Sequence, residues 1–580
     1  MIVGIDLGTS TSEVSYVNED GEVIVIPNEE GEITIPSVVH FRENGSSIVG
    51  TEAREYLFTR PDSTFMEIKR KFGTDEKLKA HGKSLAPEEI QAHILRYLAD
   101  CAEDYTDQEV TGAVITVPAY FTDVQRRQTI QAGVLAGLKV ERVINEPTAA
   151  ALDYGLSNLD ECEYLLVYDF GGGTLDVTVL ELFEGVIDVK SSYGNSQLGG
   201  KDFDEVLMKH IAGKSYKAIM EDPRAQMRLK QAAMDVKIAL SSEESAKASL
   251  PLILGSMTID MTVTRKEFEQ LIAPLVESTG EQINTALSDA GLAASDLQKI
   301  LLVGGTTRIP YVRQFVEEKL GIIPNAADSP ELMVARGAAI QAAVLEGVIP
   351  EEKSVILADV CPFSLGLKIV SDSGMVVDKL IPKNVTIPYE QSKVYTAMYI
   401  YQYAIDIQVY QGESKNYQED TMIGSVLLSN LPQRRNERAE AEVTFAYDTN
   451  GILNVKARAL GNDKTVSTEI DVNNVEFEKR APVKLAEWEK AKGANKYRPL
   501  IRKANKEIED FVGTSLFITS PMYLIADEID NLKADLILGD TDSADSRSET
   551  IKNLLEKLDS LDLDFFDVED DDDDDFRFPF

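Results

Sequence analysis

Cysteine is scarce in this chain: three residues in 580, Cys101, Cys162 and Cys361, lie far apart and without C-x-x-C spacing. An odd, scattered set excludes a disulfide framework and a thiolate zinc site. Histidine is nearly as rare, at four, and forms no H-E-x-x-H pattern. Long apolar runs are missing too, since no stretch approaches the roughly 20 residues of a membrane span. The opening MIVGIDLGTS has no basic or apolar leader region and carries an acid at position 6, so a cytoplasmic protein with no membrane partner is expected. Basic residues are outnumbered, 58 Lys and Arg against 98 Asp and Glu, giving a formal charge of −40. That charge repels a phosphate backbone and excludes nucleic acid as a main partner. What the chain does have is length: at roughly 100–200 residues per domain, about three to five folding units are expected.

The stretch LLVYDFGGGTLDVTVL ends an apolar strand in Asp169 and then discards its side chains at Gly171, Gly172 and Gly173. The N-terminal IVGIDLGTSTSEV has the same grammar: strand, Asp6, then Gly8 and the hydroxyl residues Thr9, Ser10 and Thr11. Glycines let backbone N–H groups close on an anion, and Thr9, Ser10 and Thr174 add hydroxyl donors. An acid beside phosphate requires a cation between them, and Mg²⁺ held through water by Asp6 and Asp169 fits that demand. Either loop alone reads equally well as an ordinary Gly-rich hairpin, but two copies favour phosphate loops. A third apolar run, ILLVGGTTRIP, ends in Gly304 and Gly305, followed by Thr306 and by Arg308, whose planar guanidinium can stack on a purine. No G-x-x-x-x-G-K-[ST] or helix-opening G-x-G-x-x-G accompanies them.

The stretches GIDLGTSTSEV, AVITVPAYFTDVQRRQT, VINEPTAAALDYGL, VYDFGGGTLDVTVLEL, LGGKDFD, LLVGGTTRIPYV and ARGAAIQAAVLEG together resemble the heat-shock chaperone ATPases of the seventy-kilodalton class. The resemblance is strong over about residues 1–475. It implies an α/β actin-like two-lobed ATPase domain closing on ATP or ADP and Mg²⁺, an all-β sandwich peptide-binding domain and an α-helical lid. By the same resemblance Lys69 matches the family's catalytic lysine, and Glu146, Asp169 and Thr174 match the groups around the attacking water. Lys69 alone is a member of the charged run KRK, and Glu146 before Pro147 also reads as a helix-start signal. Gly199, Gly200, Lys237 and Ser241 match further nucleotide-binding positions. Two departures stand out: Met234 replaces a glutamate that contacts the nucleoside, and Lys201 replaces an acid near the phosphates. The stretch between Lys71 and Pro87 is also short for the family, which puts the type of exchange factor in question.

The expected domains are 1–350 (ATPase), 351–361 (linker), 362–473 (sandwich), 474–563 (lid) and 564–580 (acidic tail). Val355 to Ala358 are apolar or small, which suits either a short edge strand or the family's docking linker. The resemblance places Arg142 and Asp359 against a J-domain co-chaperone. AIDIQVYQGE alternates with period two, and EVTFAYDTNGILNVKARA carries an Asn450-Gly451 hairpin signal. The family's peptide cleft maps onto Leu367, Val370, Tyr395, Thr396, Met398, Ile405 and Ile407, any of which reads equally as sandwich core. Tyr395, Tyr399, Tyr401 and Tyr403 share one register, so some of them should face solvent or ligand. Ile525, Ile529, Leu532 and Leu536, and then Ile551, Leu554, Leu555, Leu558 and Leu561, follow helical spacing. The run Glu569 to Asp575, flanked by phenylalanines, is expected to be a solvated tail.

Three functions compete. An ATP-driven chaperone leads, binding unfolded clients with a J-domain protein and an exchange factor. A nucleotide-gated binding protein or exchange-factor-like relative with little hydrolysis is the alternative raised by Met234 and Lys201. A small-metabolite kinase shares the core but leaves residues 362–473 without a purpose.

Overall fold

The computed structural model describes residues 1–74, 76–156, 162–183, 185–325, 329–349, 356–371, 374–400, 405–414, 419–428, 431–432, 438–461, 467–470, 493–508, 525, 528–529, 532–533, 536 and 541–559. These form mixed α/β structure with several sheets, divided into two compact units. The first holds Met1–Ser364 with the short segments Ile381–Tyr389 and Tyr447–Leu453; the second begins at Leu365 and takes the rest.

In the first unit two sheets repeat one plan. One runs in the order Lys139–Asn145, Gly112–Val117, Ile2–Asp6, Thr11–Val17, Val23–Val25. Ile2–Asp6 pairs antiparallel with Thr11–Val17 and parallel with Gly112–Val117. The other runs Lys299–Val303, Glu163–Phe170, Leu175–Phe183, Val186–Asn195, Ile356–Ala358. Here too a hairpin, Glu163–Phe170 with Leu175–Phe183, is flanked by a parallel strand, Lys299–Val303. Every residue of Gly112–Val117 is buried, which is why its sequence is apolar except for Thr116 rather than alternating.

Helix Met333–Glu346 packs against the first strand and is rich in alanine because the backbones nearly touch. A Cβ on Gly4 would lie 2.0 Å from the Ala339 nitrogen. Helix Arg265–Ala290 starts on a Thr264/Glu267 capping box and stops at Gly291, whose φ is 70°. The short stretch between Lys71 and Pro87 forms a small hairpin, Leu78–Ala80 with Lys83–Leu85. Ile356–Ala358 is an edge strand, parallel to Val186–Asn195; Val355 lies outside the described residues. No described helix is long and apolar enough to cross a membrane.

In the second unit two four-stranded sheets run Gly374–Ile381, Leu365–Ser371, Ile405–Gln411, Thr421–Leu428 and Tyr389–Ile400, Arg438–Tyr447, Leu453–Leu460, Ser467–Ile470. Val443, Phe445, Val455 and Ala457 alternate with more exposed neighbours, as period two requires. The turn between Arg438–Tyr447 and Leu453–Leu460, which is counted with the first unit, has Gly451 at φ 69°, and the Asp448 carboxylate accepts the Asn450 and Ile452 N–H groups. Helices Ala494–Ile508 and Thr541–Asp559 follow. Ile501, Ala504, Ile525, Ile529, Leu532, Leu536, Ile551, Leu554 and Leu555 are buried together. Tyr401, Tyr403, Leu561 and residues 564–580 lie outside the described residues, as do the side chains of Tyr399 and Leu558.

Candidate functional site

Both Asp-terminated hairpins deliver their loops to one cleft of the first unit. It is lined by Asp6, Gly8, Thr9, Ser10 and Thr11 from the first loop and by Asp169, Gly171, Gly172 and Thr174 from the second. Gly304, Gly305, Lys69 and Glu146, also expected there, line it too. The Gly-rich loop is closed by a bond from the Gly171 N–H to the Thr174 carbonyl, 3.0 Å.

Gly173, Gly199, Gly200, Lys237, Ser241, Thr306 and Arg308, also expected to bind nucleotide, are not among the residues that line the cleft, and several of them brace the Gly-rich loop. Gly200 N–H donates to the Gly171 carbonyl at 3.0 Å, and Lys201 N–H donates to the Gly172 carbonyl at 2.9 Å. Gly199 has to be glycine, because its Cβ would sit 2.4 Å from the Gly173 nitrogen. Thr306 Oγ1 donates to the Gly171 carbonyl at 2.8 Å. Lys237 Nζ pairs with Asp204 at 2.8 Å and donates to the Gly200 carbonyl at 3.0 Å. Ser241 Oγ donates to the Lys237 carbonyl, and Arg308 makes a fork to Glu331, 2.7 and 2.8 Å. The charge-reversed Lys201 approaches Glu67 at 3.8 Å, and Lys230 pairs with the same carboxylate at 2.6 Å.

The electrostatics of the cleft centre on a buried pair. Lys69, on a short 3₁₀ turn and 2% exposed, donates from Nζ to Glu146 Oε1 at 2.5 Å. Glu146 does begin a helix, Glu146–Leu156, so the helix-start signal and the pairing coexist in one residue. Burial, then the Glu146 charge, pushes the Asp6 carboxyl up to about 7, against the pull of Lys69 and a 2.7 Å bond from Thr116 Oγ1. Asp169 is raised well above the carboxylate range by burial and by Glu146, Asp176 and Asp6. Asp169 Oδ2 has no hydrogen-bond partner among the described residues.

Sequence reasoning missed Glu13, Glu331 and Asp176. The first two line the cleft. Asp176, fully buried in Leu175–Phe183, accepts the Tyr120 N–H at 3.0 Å and is pushed up to about 7, chiefly by burial and then by Glu146. The only local signal for either is an acid inside a strand, Glu13 in Thr11–Val17 and Asp176 in Leu175–Phe183, and it does not say which face that acid takes.

The donor set suits a hard cation. Among the described residues no group of three or more His, Cys, Asp or Glu could hold a metal alone. Asp6 and the free Oδ2 of Asp169 instead suit an ion that keeps its waters and is completed by phosphate oxygens, which fits Mg²⁺.

Two other candidate sets lie elsewhere. Buried Asp359 accepts from Asn145 Nδ2 at 2.8 Å and from Thr148 Oγ1 at 3.4 Å, and its carboxyl is raised mainly by burial. Arg142, whose charge acts on Asp359, donates to Gln341 Oε1 at 3.1 Å. The seven expected peptide-contacting residues do not share one environment. Leu367 and Ile407 are core at 4% and 3% exposure, Ile405 and Tyr395 are half-buried, and Val370, Thr396 and Met398 are exposed. The Tyr395 hydroxyl donates to Asp378 at 2.8 Å.

A family model described as Hsp70 protein matches residues 2–520. The chain is similar to a Chaperone protein DnaK of Thermotoga petrophila, 44% identical over 476 residues, which is 80% of this chain and 79% of that one. It is likewise similar to a Chaperone protein DnaK of Thermosipho africanus, 41% identical over 532 residues and 88% of each chain.

Proposed function

Because this chain belongs to the Hsp70 family and is an ATP-dependent molecular chaperone with ATPase activity, we propose that its two Asp-terminated loops are the site of hydrolysis and that the chain's later domains are driven by it. The observation that carries the reading is the convergence of both loops with the buried Lys69–Glu146 pair in one cleft. Gly8 to Thr11 and Gly171 to Thr174 cradle the phosphates, with Gly304 and Gly305 beside the end of the Asp169 strand. Lys69 neutralises charge developing on the γ-phosphoryl group, while Glu146, Thr174 and the free Oδ2 of Asp169 orient the attacking water. Bound Mg²⁺, held through water by Asp6 and Asp169, supplies charge neutralisation across the phosphates. The water's oxygen bonds to the γ-phosphorus as the bond to the bridging oxygen breaks, giving ADP and phosphate.

On the nucleoside side Lys237, Ser241 and Arg308 act with a methionine, Met234, in place of an acid, so affinity there is lowered. The layout is an actin-like ATPase core over 1–350, a linker over 351–361, a peptide-binding sandwich over 362–473, a helical lid over 474–563 and an acidic tail. Pairing of Ile356–Ala358 with Val186–Asn195 supports the linker reading. Arg142 and Asp359 are the J-domain contact, and an exchange factor completes the cycle. Clients are extended apolar segments of unfolded proteins, held by backbone bonds and apolar pockets of the sandwich.

Single-turnover ATP hydrolysis by the purified chain, with and without an unfolded apolar peptide, tests this. Stimulation by peptide is expected; hydrolysis indifferent to peptide would overturn the coupling.

A further inference from the structure

Glu13 has no role in the scheme above, yet it lines the nucleotide cleft. It is 1% exposed, and its Oε1 has no hydrogen-bond partner among the described residues. Its placement follows from the hairpin register. Gly4, Ile5 and Asp6 pair antiparallel with Ser15, Val14 and Glu13. Directly opposed residues share a face of the sheet, so Asp6 and Glu13 both turn to the cleft, while Ile5 and Val14, at 0% and 1% exposure, turn into the core. Asp6 holds a bond from Thr116; Glu13 Oε1 is left free beside it.

The charge balance makes this free oxygen informative. Asp6, Glu13, Glu146, Asp169 and Glu331 line the cleft; Glu331 is held by Arg308 from outside it, and Lys69 is the only basic side chain among the lining residues, so the four acids around Asp6 share one ammonium. Nucleotide phosphates add further negative charge. A buried carboxylate without a counter-charge is costly, so the Asp6 side of the cleft needs a cation beyond what one ammonium provides.

Resting on the nucleotide-site reading above, we propose that Glu13 is a cation-holding carboxylate: with Asp6 across the strand pair, it attracts the divalent ion that enters with the phosphates. Nucleotide binding by this chain is therefore unusually dependent on divalent ions, and Glu13 acts on the ion rather than on the nucleotide.

The test is calorimetric ADP titration of the full chain across Mg²⁺ concentrations and in excess chelator, with Mn²⁺ binding to the ADP complex read by electron paramagnetic resonance. Glu13→Gln keeps the shape and removes the charge. It is expected to weaken Mn²⁺ binding by about 10–100-fold, the usual effect of losing a carboxylate that supports a metal site. In chelator its ADP affinity is expected to equal or exceed that of the parent, because a like charge has been removed. Glu13→Asp, which keeps the carboxylate, is expected to recover at least part of the metal affinity. Equal Mn²⁺ affinity in the parent and Glu13→Gln, with unchanged melting temperature, would overturn the proposal. Loss of ADP affinity in chelator as well would also overturn it, since that marks a structural role. Absence of ADP binding by the parent would refute the nucleotide-site reading itself, and this proposal with it.

Discussion

Replacing Lys69 separates what the buried pair does for folding from what it does for chemistry. Lys69→Met keeps the length of the aliphatic stem and removes the ammonium that donates to Glu146 at 2.5 Å. Lys69 is 2% exposed and Glu146 9%, so the substitution leaves a carboxylate with little water to replace its partner. Breaking such a pair costs about 3–5 kcal/mol of stability. The double variant Lys69→Met/Glu146→Gln removes the orphaned charge, so it is expected to recover most of the stability. Hydrolysis should not recover. Loss of one group aimed at developing charge costs about 10²–10³-fold in turnover, and the double variant still lacks it. Thermal melts and rapid-quench single-turnover hydrolysis of pre-bound ATP read the two effects separately. A folded Lys69→Met that hydrolyses ATP within threefold of the parent would refute the assignment of Lys69 to the γ-phosphoryl group.

Three further outcomes follow from the same geometry. Thr174→Ala is expected to slow single-turnover hydrolysis by about 10²-fold, the low end for one donor at a reacting centre, while ADP affinity by calorimetry stays within twofold; normal turnover would remove Thr174 from the water site. Asp176, pushed up to about 7 from an unfolded value near the usual carboxylate, binds a proton in the folded state that the unfolded chain releases. Its stabilising protonation is therefore fully felt below the ordinary carboxylate range and lost by about pH 7, so the nucleotide-free melting temperature should fall from about pH 5 to about pH 7, level off above, and fall less in Asp176→Asn, whose amide oxygen can still accept the Tyr120 N–H. Glu67→Ala removes the carboxylate that meets Lys230 at 2.6 Å and Lys201 at 3.8 Å. For partly exposed pairs worth up to about 1 kcal/mol, ADP release by stopped flow should quicken by up to about fivefold.

The parts of the site legible in the sequence are those whose signal is local. Asp6 and Asp169 close apolar strands and are followed at once by glycine and hydroxyl residues, and the structure brings both loops to one cleft. Lys69 was not legible by composition, because KRK has the look of a solvated run. Its burial depends on Glu146, far along the chain and on another element. Glu13 and Asp176 escaped for a related reason: one acid in a strand is usually surface, and only the pairing register shows which face it takes. Ile356–Ala358 carries an apolar signal that suited either an edge strand or a docking linker, and its partner strand lies well over a hundred residues earlier.

The mixed environments of the seven sandwich residues were within reach of simple parity. Leu367 and Val370 are three apart in Leu365–Ser371, so they take opposite faces of the strand, one buried and one 56% exposed. The helical spacing of Ile525, Ile529, Leu532 and Leu536 needed no partner to be read, and all four are buried.

The measurement that bears most directly on the central claim is the release of a fluorescently labelled unfolded apolar peptide from the full chain after ATP is added, with ADP as the control. Release accelerated by ATP, and retained in a Lys69→Met variant that binds but does not hydrolyse the nucleotide, is the result expected of a cleft that gates a client site. Peptide release unchanged by ATP, from a chain that binds both ligands, would contradict it.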